Sequence, residues 1–392
     1  MEKLMAHGRE LCLRQHRFFA PMILICEGYA RLLLVDREVA VVSEPLDCLS
    51  ESTVLSTFLY RYINATPERR GYDPTVSLAS EDEHVFFMQV KTQFPPDSYL
   101  HETFDKAATL GWPTYKLRIS AQWSKDEDGR FATHDCTHST REFLVGRPAY
   151  DPAMAAGRCT LGFAAWDVSR QRSVFIKDYW RTYGPDTLTE YEVYRRLAEG
   201  DHPVRNIPTI LGGGDVPGSF EIASLRPCFQ GDPFLAATRI YTRLVIKEIC
   251  RSLQSFQDWR ELVSVVHDAL LAAWEDHGIL HRDLSVGNIL IFDGIPGSVA
   301  SCVGLLCDWN TACSKEQVFD LPPSQGTRSG TWQFMSAGLQ MYDWKPHLLS
   351  DDLESFMHVL NWIALQHLDT RESKNLRALA EHVHHMYNIA LP

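Results

Sequence analysis

The clearest periodic stretch in the chain is DWRELVSVVHDALLAAWEDHG at 258–278. Its apolar residues recur at 262, 265/266, 269/270 and 273, one stripe of an amphipathic helix that Gly278 ends. A second helical period runs through STVLSTFLYRYI (52–63), with apolar residues at 54, 55, 58, 59 and 62. TLTEYEVYRRLAEG (187–200) places Leu188, Tyr191, Tyr194 and Leu197 close to one face, with Gly200 as the C-cap. ESFMHVLNWIAL (354–365) and LRALAEHVHHMYNI (376–389) complete the helical runs.

Strand patterns lie between them. MILICEGYARLLLVDREVAVV (22–42) has β-rich stretches on either side of a turn read at Asp36–Arg37. GRCTLGFAAWDVSRQRSVFIKDYW (157–180) reads as strand, polar SRQR turn, strand. TRLVIKEI (242–249), NILIF (288–292) and VGLLC (303–307) read as further strands. Residues 66–83 look like loop, 84–123 hold mixed pieces, and KDEDGR (125–130) reads as a polar hairpin turn.

Composition narrows the class. The 392 residues are 45% hydrophobic, which supports a large buried core and excludes wholesale disorder. The 38 basic and 50 acidic residues give a net charge of −12, so no nucleic-acid partner is expected. The ten cysteines form no CxxC pair, which disfavours zinc ribbons and thioredoxin-like sites. The start is too polar for a secretory signal, and no apolar run reaches the roughly 20 residues a bilayer requires. A soluble, intracellular protein with reduced thiols is the expectation, with no membrane association.

The chemistry concentrates at His281-Arg282-Asp283-Leu284-Ser285-Val286-Gly287-Asn288, between the long helix and a short strand, with Asp308-Trp309-Asn310 at the end of the next strand. Phosphoryl transfer needs this order. Asp283 takes or orients the proton of an acceptor hydroxyl, and Asn288 and Asp308 offer the hard oxygen ligands that Mg²⁺ on nucleotide phosphates prefers. His281 reads as a packing and backbone-bonding residue. Upstream, Lys177 ends the strand VFIK and can reach the α- and β-phosphates, and Glu190, thirteen residues on, can pair with it. Taken alone, Lys177 also reads as a solvated lysine, and Glu190 as the fourth residue of a capping box opened by Thr187. Glu192 is the second choice for the helix glutamate. Gly157-Arg158-Cys159-Thr160-Leu161-Gly162 is a glycine-turn pattern whose middle glycine is Cys159.

Taken together with FLYRYINATPERRGYDPTV (58–76), FLVGRPAYDP (143–152), RLVIKEICRSLQSF (243–256), GTWQFMSA (330–337) and DDLES (351–355), these motifs resemble the fungal-type protein kinase family. The resemblance implies an α+β chain: a mixed α/β N-terminal region (1–142), then a two-lobed protein-kinase-like fold with a small lobe at 143–249 and a large lobe at 250–392. Only 40 residues follow Asp352, so the large lobe is expected to be shortened at its C-terminal end. The implied activity is transfer of the γ-phosphate of ATP, with Mg²⁺, to Ser or Thr hydroxyls of a protein substrate. By the same likeness, Asp283, Lys177, Glu190 and Arg282 are catalytic and Asn288 and Asp308 hold metal. Gly157, Gly162, Lys177, Glu248 and Cys250 meet the nucleotide, the last two in a hinge at 246–250. Arg282 would face an acidic or phosphorylated group in an activation segment at 308–337, where Thr327, Ser329 and Thr331 are candidate phosphosites. Asp352 is implied to brace the catalytic loop.

Three residues depart from the usual kinase pattern: Cys159 for a loop glycine, Ser285 for a phosphate-contacting lysine, and Asn310 for the glycine of Asp-Phe-Gly. Two other readings therefore stay open, a pseudokinase or scaffold without turnover and a small-molecule phosphotransferase on the same fold. His134, Cys136 and His138 form an HxCxH with no fourth ligand in view, and His382, His384 and His385 read as surface residues.

Overall fold

In the computed structural model the described residues are 2–36, 40–48, 50, 52–120, 123–124, 140–149, 160–182, 188–199, 203–218, 239–274, 278–294, 302–315, 330–342, 344–367, 377 and 381. The glycine-turn residues Gly157 and Cys159, the HxCxH, KDEDGR, Thr327, Ser329, Gly200 and nearly all of 376–389 lie outside them. The chain divides into two compact units, 1–185 with 211–247 and 186–210 with 248–392. Both mix helices with antiparallel sheet, so the class is α+β.

The first unit opens with helix α1 (Glu2–Arg14), which the sequence pattern does not predict, and an antiparallel group of strands β1 (Ala20–Cys26), β2 (Tyr29–Val35), β3 (Ala40–Val42) and β4 (Leu46–Asp47). A tight turn that the sequence pattern does not predict falls at Glu27–Gly28, while β2 and β3 pair antiparallel from Val35 to Ala40 on either side of the turn read at Asp36–Arg37, whose residues 37–39 lie outside the described ones. Glu27 and Gly28 have positive φ, 50° and 89°, and Cys26 pairs directly with Tyr29. Helix α2 (Ser52–Ile63) spans the predicted residues, and its Val54, Leu59, Tyr60 and Ile63 are exposed. Strand β5 (Val76–Leu78), helices α3 (Glu81–Gln89) and α4 (Tyr99–Ala107), and strands β6 (Tyr115–Ser120), β7 (Trp123–Ser124), β8 (Thr140–Val145), β9 (Leu161–Asp167) and β10 (Arg172–Thr182) follow, then β11 (Ile210–Asp215) and β12 (Arg239–Ile246). The expected boundary at 142/143 lies inside β8.

Strands β5 to β12 form one eight-stranded sheet in the order β5-β6-β8-β9-β10-β12-β11-β7. Only residues 121 and 122 separate β6 from β7, yet six strand spacings lie between them in that order. A flat sheet would hold them about 29 Å apart, whereas three Cα–Cα steps reach about 11 Å. The sheet therefore curls until its ends approach. Leu117, Ile119, Phe143, Val145, Leu161, Phe163, Val174, Ile176, Leu211 and Val245 form one buried cluster with Leu13 of α1. Strands from the first 145 residues thus share a core with β9, β10 and β12.

The second unit holds α5 (Glu190–Ala198), β13 (Arg251–Ser252), α6 (Trp259–Trp274), β14 (Ile279–Leu280), β15 (Ile289–Phe292), β16 (Val303–Leu306), β17 (Cys313–Ser314), α7 (Ala337–Met341) and α8 (Leu349–His367). Helix α5, expected in the small lobe, groups with this unit and packs on the turn at 309–311. The predicted stripe of α6 is buried: Leu262, Val265, Val266, Ala269 and Ala273 face inward against β15, β16 and α8. Two short antiparallel pairings, β15 with β16 and β14 with β17, flank the HRD segment and turn it back on itself. Among the described residues no helix is long and apolar enough to cross a membrane.

Because Phe143 lies inside the curled sheet with no exposed surface, Phe143→Ala should cost about 3–5 kcal/mol of stability. Urea unfolding monitored by tryptophan fluorescence measures it.

Candidate active site

In the first unit, Lys177 sits near the middle of β10, paired with Gly162 of β9 on one side and Leu244 of β12 on the other. It is 7% exposed, and its ammonium lies 4.7 Å from the ring centre of Tyr179, two residues on and on the same face. The solvated-lysine reading does not fit that burial. Gly162 is a strand residue with the Phe175 ring against it. A Cβ there would come within 2.5 Å of the far edge of that ring, so the half-buried Phe175 side chain would have to shift to admit one.

The second unit assembles the HRD segment around one carboxylate. Asp352, in the first turn of α8, is 1% exposed and accepts the backbone N–H groups of His281 (3.0 Å) and Arg282 (3.1 Å). His347 Nε2 lies 2.8 Å from Asp352 Oδ1, the oxygen that also accepts the Arg282 N–H. Arg282 is thereby held at φ 69°, a left-handed conformation that an ordinary side chain disfavours. His281 is buried with its ring edge toward Trp309. Its Nε2 donates to the Cys307 carbonyl (2.9 Å) and its Nδ1 accepts the Asp283 N–H (3.2 Å), which selects the tautomer protonated on Nε2. Leu284, Val286 and Ile289 anchor the loop in the core.

Asn288 donates its amide nitrogen to the Asp283 carbonyl (2.7 Å), so its side-chain oxygen is the atom that could hold a metal. The Cys307 N–H donates to the Asn288 carbonyl (2.9 Å), so Asp308 follows directly on a residue bonded to Asn288. Asp308 has φ 64°, and Asn310 donates to its Oδ1 at 3.0 Å. Asn310 thus contributes one donor to the carboxylate that a glycine would not supply. Among the described residues no three His, Cys, Asp or Glu side chains converge as a metal cage. One carboxylate and one amide oxygen do match Mg²⁺, which keeps waters and takes its remaining oxygens from phosphates.

One oxygen of Asp283 is already engaged: the backbone N–H and the hydroxyl of Thr331 both donate to its Oδ1, at 2.8 and 2.7 Å. The preceding Gly330 has φ 131°, and a Cβ there would lie 2.8 Å from the Arg282 carbonyl oxygen. Sequence reasoning placed Thr331 only among candidate phosphosites. A phosphate on it would face the Asp283 carboxylate, like charge to like. Arg282 bonds the Thr311 carbonyl at 3.4 Å and lies beside Cys313, whose thiol is raised by burial against the opposing influence of Arg282. Ser285 is buried at the loop's midpoint.

The two glutamates at the start of α5 have different surroundings. Thr189, not Thr187, is the N-cap residue, and Glu192 returns to its N–H (2.8 Å) while its own N–H meets the Thr189 hydroxyl. Glu192 is spent on the cap. Glu190 points inward and is 2% exposed. Burial lifts the Tyr194 hydroxyl well above its ordinary range, and the charges of Glu190, Cys307 and Asp308 add to this, which places Glu190 and Asp308 around the same tyrosine. At the other end, Glu248 accepts the Thr209 N–H at 2.8 Å, and burial pushes the Cys250 thiol well above its usual range.

The family model described as fungal protein kinase matches residues 1–221 and 199–364. This chain belongs to that family. The kinase-like fold, the HRD loop, Asn288 and Asp308 therefore stand in a protein-kinase family member. No curated protein matches the chain. Among solved structures, the ROP18 kinase domain in complex with AMP-PNP and sucrose is similar at 15% identity, over 72% of each chain, with a TM-score of 0.37. A score that low carries no argument.

The chain has no Ala-Pro-Glu after GTWQF, and a second aspartate braces the segment that follows. Asp351, beside Asp352, accepts the Ser336 hydroxyl (2.5 Å) and the Leu348 N–H (2.8 Å) and pairs with Lys345. Burial acts to raise its carboxyl, but Lys345, Ser336 and the Leu348 N–H outweigh that and hold it below the usual range. A depressed folded-state value means a stabilisation that is complete above the unfolded carboxylate's value of about 3.9. It is lost as pH falls through the lower folded value. Asp351→Asn should cost about 1–3 kcal/mol at pH 7. In urea melts at pH 7 and pH 3, the gap between wild type and variant should narrow at the lower pH.

Proposed function

We propose that this protein transfers the γ-phosphate of ATP to Ser or Thr hydroxyls on a protein, with Mg²⁺. The observation that carries the reading is the Asp283 carboxylate. It lies on a loop held by Asp352, and its Oδ1 accepts a hydrogen bond from an aliphatic hydroxyl, that of Thr331, at 2.7 Å. A base within that reach of an alcohol is what acceptor activation needs. Family membership supports a protein rather than a small alcohol as acceptor.

The roles follow from the residues. Lys177, buried on β10 with one face of its strand toward Tyr179, would balance the charge of the α- and β-phosphates. Asn288 and Asp308 would hold Mg²⁺, which neutralises phosphate charge when bound. Asp283 would receive or orient the acceptor proton. Ser285 supplies no positive charge, so the rate is expected to rest on positioning and the metal. The 246–250 backbone, at the 247/248 division between the units, would meet adenine.

Asp283→Ala should remove detectable phosphate transfer to peptide libraries, a loss of at least about 10²-fold, while the melting temperature stays within a few degrees of wild type. Labelled-phosphate incorporation by the variant at the wild-type level would overturn the assignment. Stabilisation of the wild type by MgATP without any transfer would instead favour the scaffold reading.

A further inference from the structure

Residues 71–76, GYDPTV, belong to the N-terminal region and have no chemistry of their own in the kinase motifs. In the structure this segment is tied by its backbone to two places. The Asp73 N–H donates to the His16 carbonyl (3.0 Å) and the Phe18 N–H to the Gly71 carbonyl (2.7 Å), while the Arg118 N–H of β6 donates to the Thr75 carbonyl (2.9 Å). Its side chains then reach 168 and 170 positions along the chain. Arg243 of β12 donates to Asp73 Oδ2 and to the Thr75 hydroxyl, both at 2.5 Å. Asp73 Oδ1 accepts the Thr75 N–H (2.8 Å) and hydroxyl (2.6 Å), so its geometry is set locally as well.

Arg243 also faces Asp178 of β10, its direct partner in the strand register, with Nε 3.5 Å from Oδ2. All three charged residues are buried: Arg243 is 1%, Asp73 4% and Asp178 0% exposed. Among the described residues, neither Asp178 oxygen has a hydrogen-bond partner, so the nearby guanidinium is what balances it. Burial acts to lower the Arg243 pKa, but the charges of Asp73 and Asp178 outweigh it and hold it above its ordinary value. A buried carboxylate that loses its counter-charge is strongly destabilised. The backbone at 178 therefore goes where Arg243 goes, and Arg243 is aimed by Asp73 and Thr75. The residue before Asp178 is Lys177, on the opposite face of the same strand.

We propose that Asp73 is a positioning residue for Lys177, acting through Arg243 and Asp178, so that the GYDPTV segment is a working part of the nucleotide-binding lobe. This rests on the kinase reading above. The test is a double-mutant cycle on the full chain, with MgATP dissociation constants measured by calorimetry for wild type, Asp73→Asn, Lys177→Met and the double variant. In the wild-type background, Asp73→Asn should weaken MgATP about tenfold or more, as expected for a displaced catalytic group. In the Lys177→Met background it should weaken binding less than about twofold. An equal fold-loss in both backgrounds, or no loss in either, overturns the proposal and leaves Asp73 a structural residue. Should Asp73→Asn fail to fold, Thr75→Val removes one of the two groups that aim Arg243 without changing charge, and the same coupling decides. If the wild type binds no MgATP at all, the kinase reading fails first and this one with it.

Discussion

Two backbone N–H groups, those of His281 and Arg282, end on the buried carboxylate of Asp352, and the geometry of the catalytic loop depends on that. The left-handed Arg282 costs conformational energy. Two charge-assisted hydrogen bonds in a site of low dielectric offset it. Around that kink the Asp283 carboxylate meets Thr331, the Asn288 amide closes on the Asp283 carbonyl, and His281 spans to Cys307. Asp352 is well placed electrostatically, because the first turn of a helix favours negative charge. Its neighbour Asp351 occupies the same turn and faces Ser336 and Lys345 instead. One helix start thus braces the HRD loop and the GTWQFMS segment with adjacent residues.

In the first unit the governing constraint is closure of the sheet. Strands β9, β10 and β12 alone would present one apolar face to water. Strands β6 and β8 continue the same sheet, and their Leu117, Ile119 and Phe143 fill the space behind Ile176 and Val245. This explains why the sequence boundary at 142 has no counterpart in the fold. The same closure brings Asp73 to Arg243. The chemistry-bearing Lys177 lies on the face of β10 opposite the one this core covers.

Much of the site was legible because it is local. The HRD-to-Asn288 run, the strand ending in VFIK and the amphipathic α6 and α5 each show their character within about 20 residues, through periodicity, caps and spacing. What was misread depends on single-residue geometry. The Glu27–Gly28 turn was hidden because glutamate is an unusual left-handed residue, and α1 because its apolar positions are sparse. The Thr187 capping box was off by two residues, since Thr189 and Glu192 satisfy the same motif. Gly162, part of the glycine-turn pattern, lies on β9 with the Phe175 ring close to it, a neighbour the linear pattern does not show.

The amino-acid sequence by itself determined the order of the chemistry: a lysine on a strand, a glutamate on a helix, then Asp, Asn and Asp around two short strands. Those assignments follow from side-chain type and near-neighbour spacing, which a linear string carries. The tertiary structure alone decided which carboxylate serves which partner. Asp73 and Arg243 are separated by 170 positions, and Asp351 and Ser336 by 15. Such pairs form because burial leaves a charge or an N–H group no water to turn to, and no period or motif in the sequence encodes which partner the fold will bring.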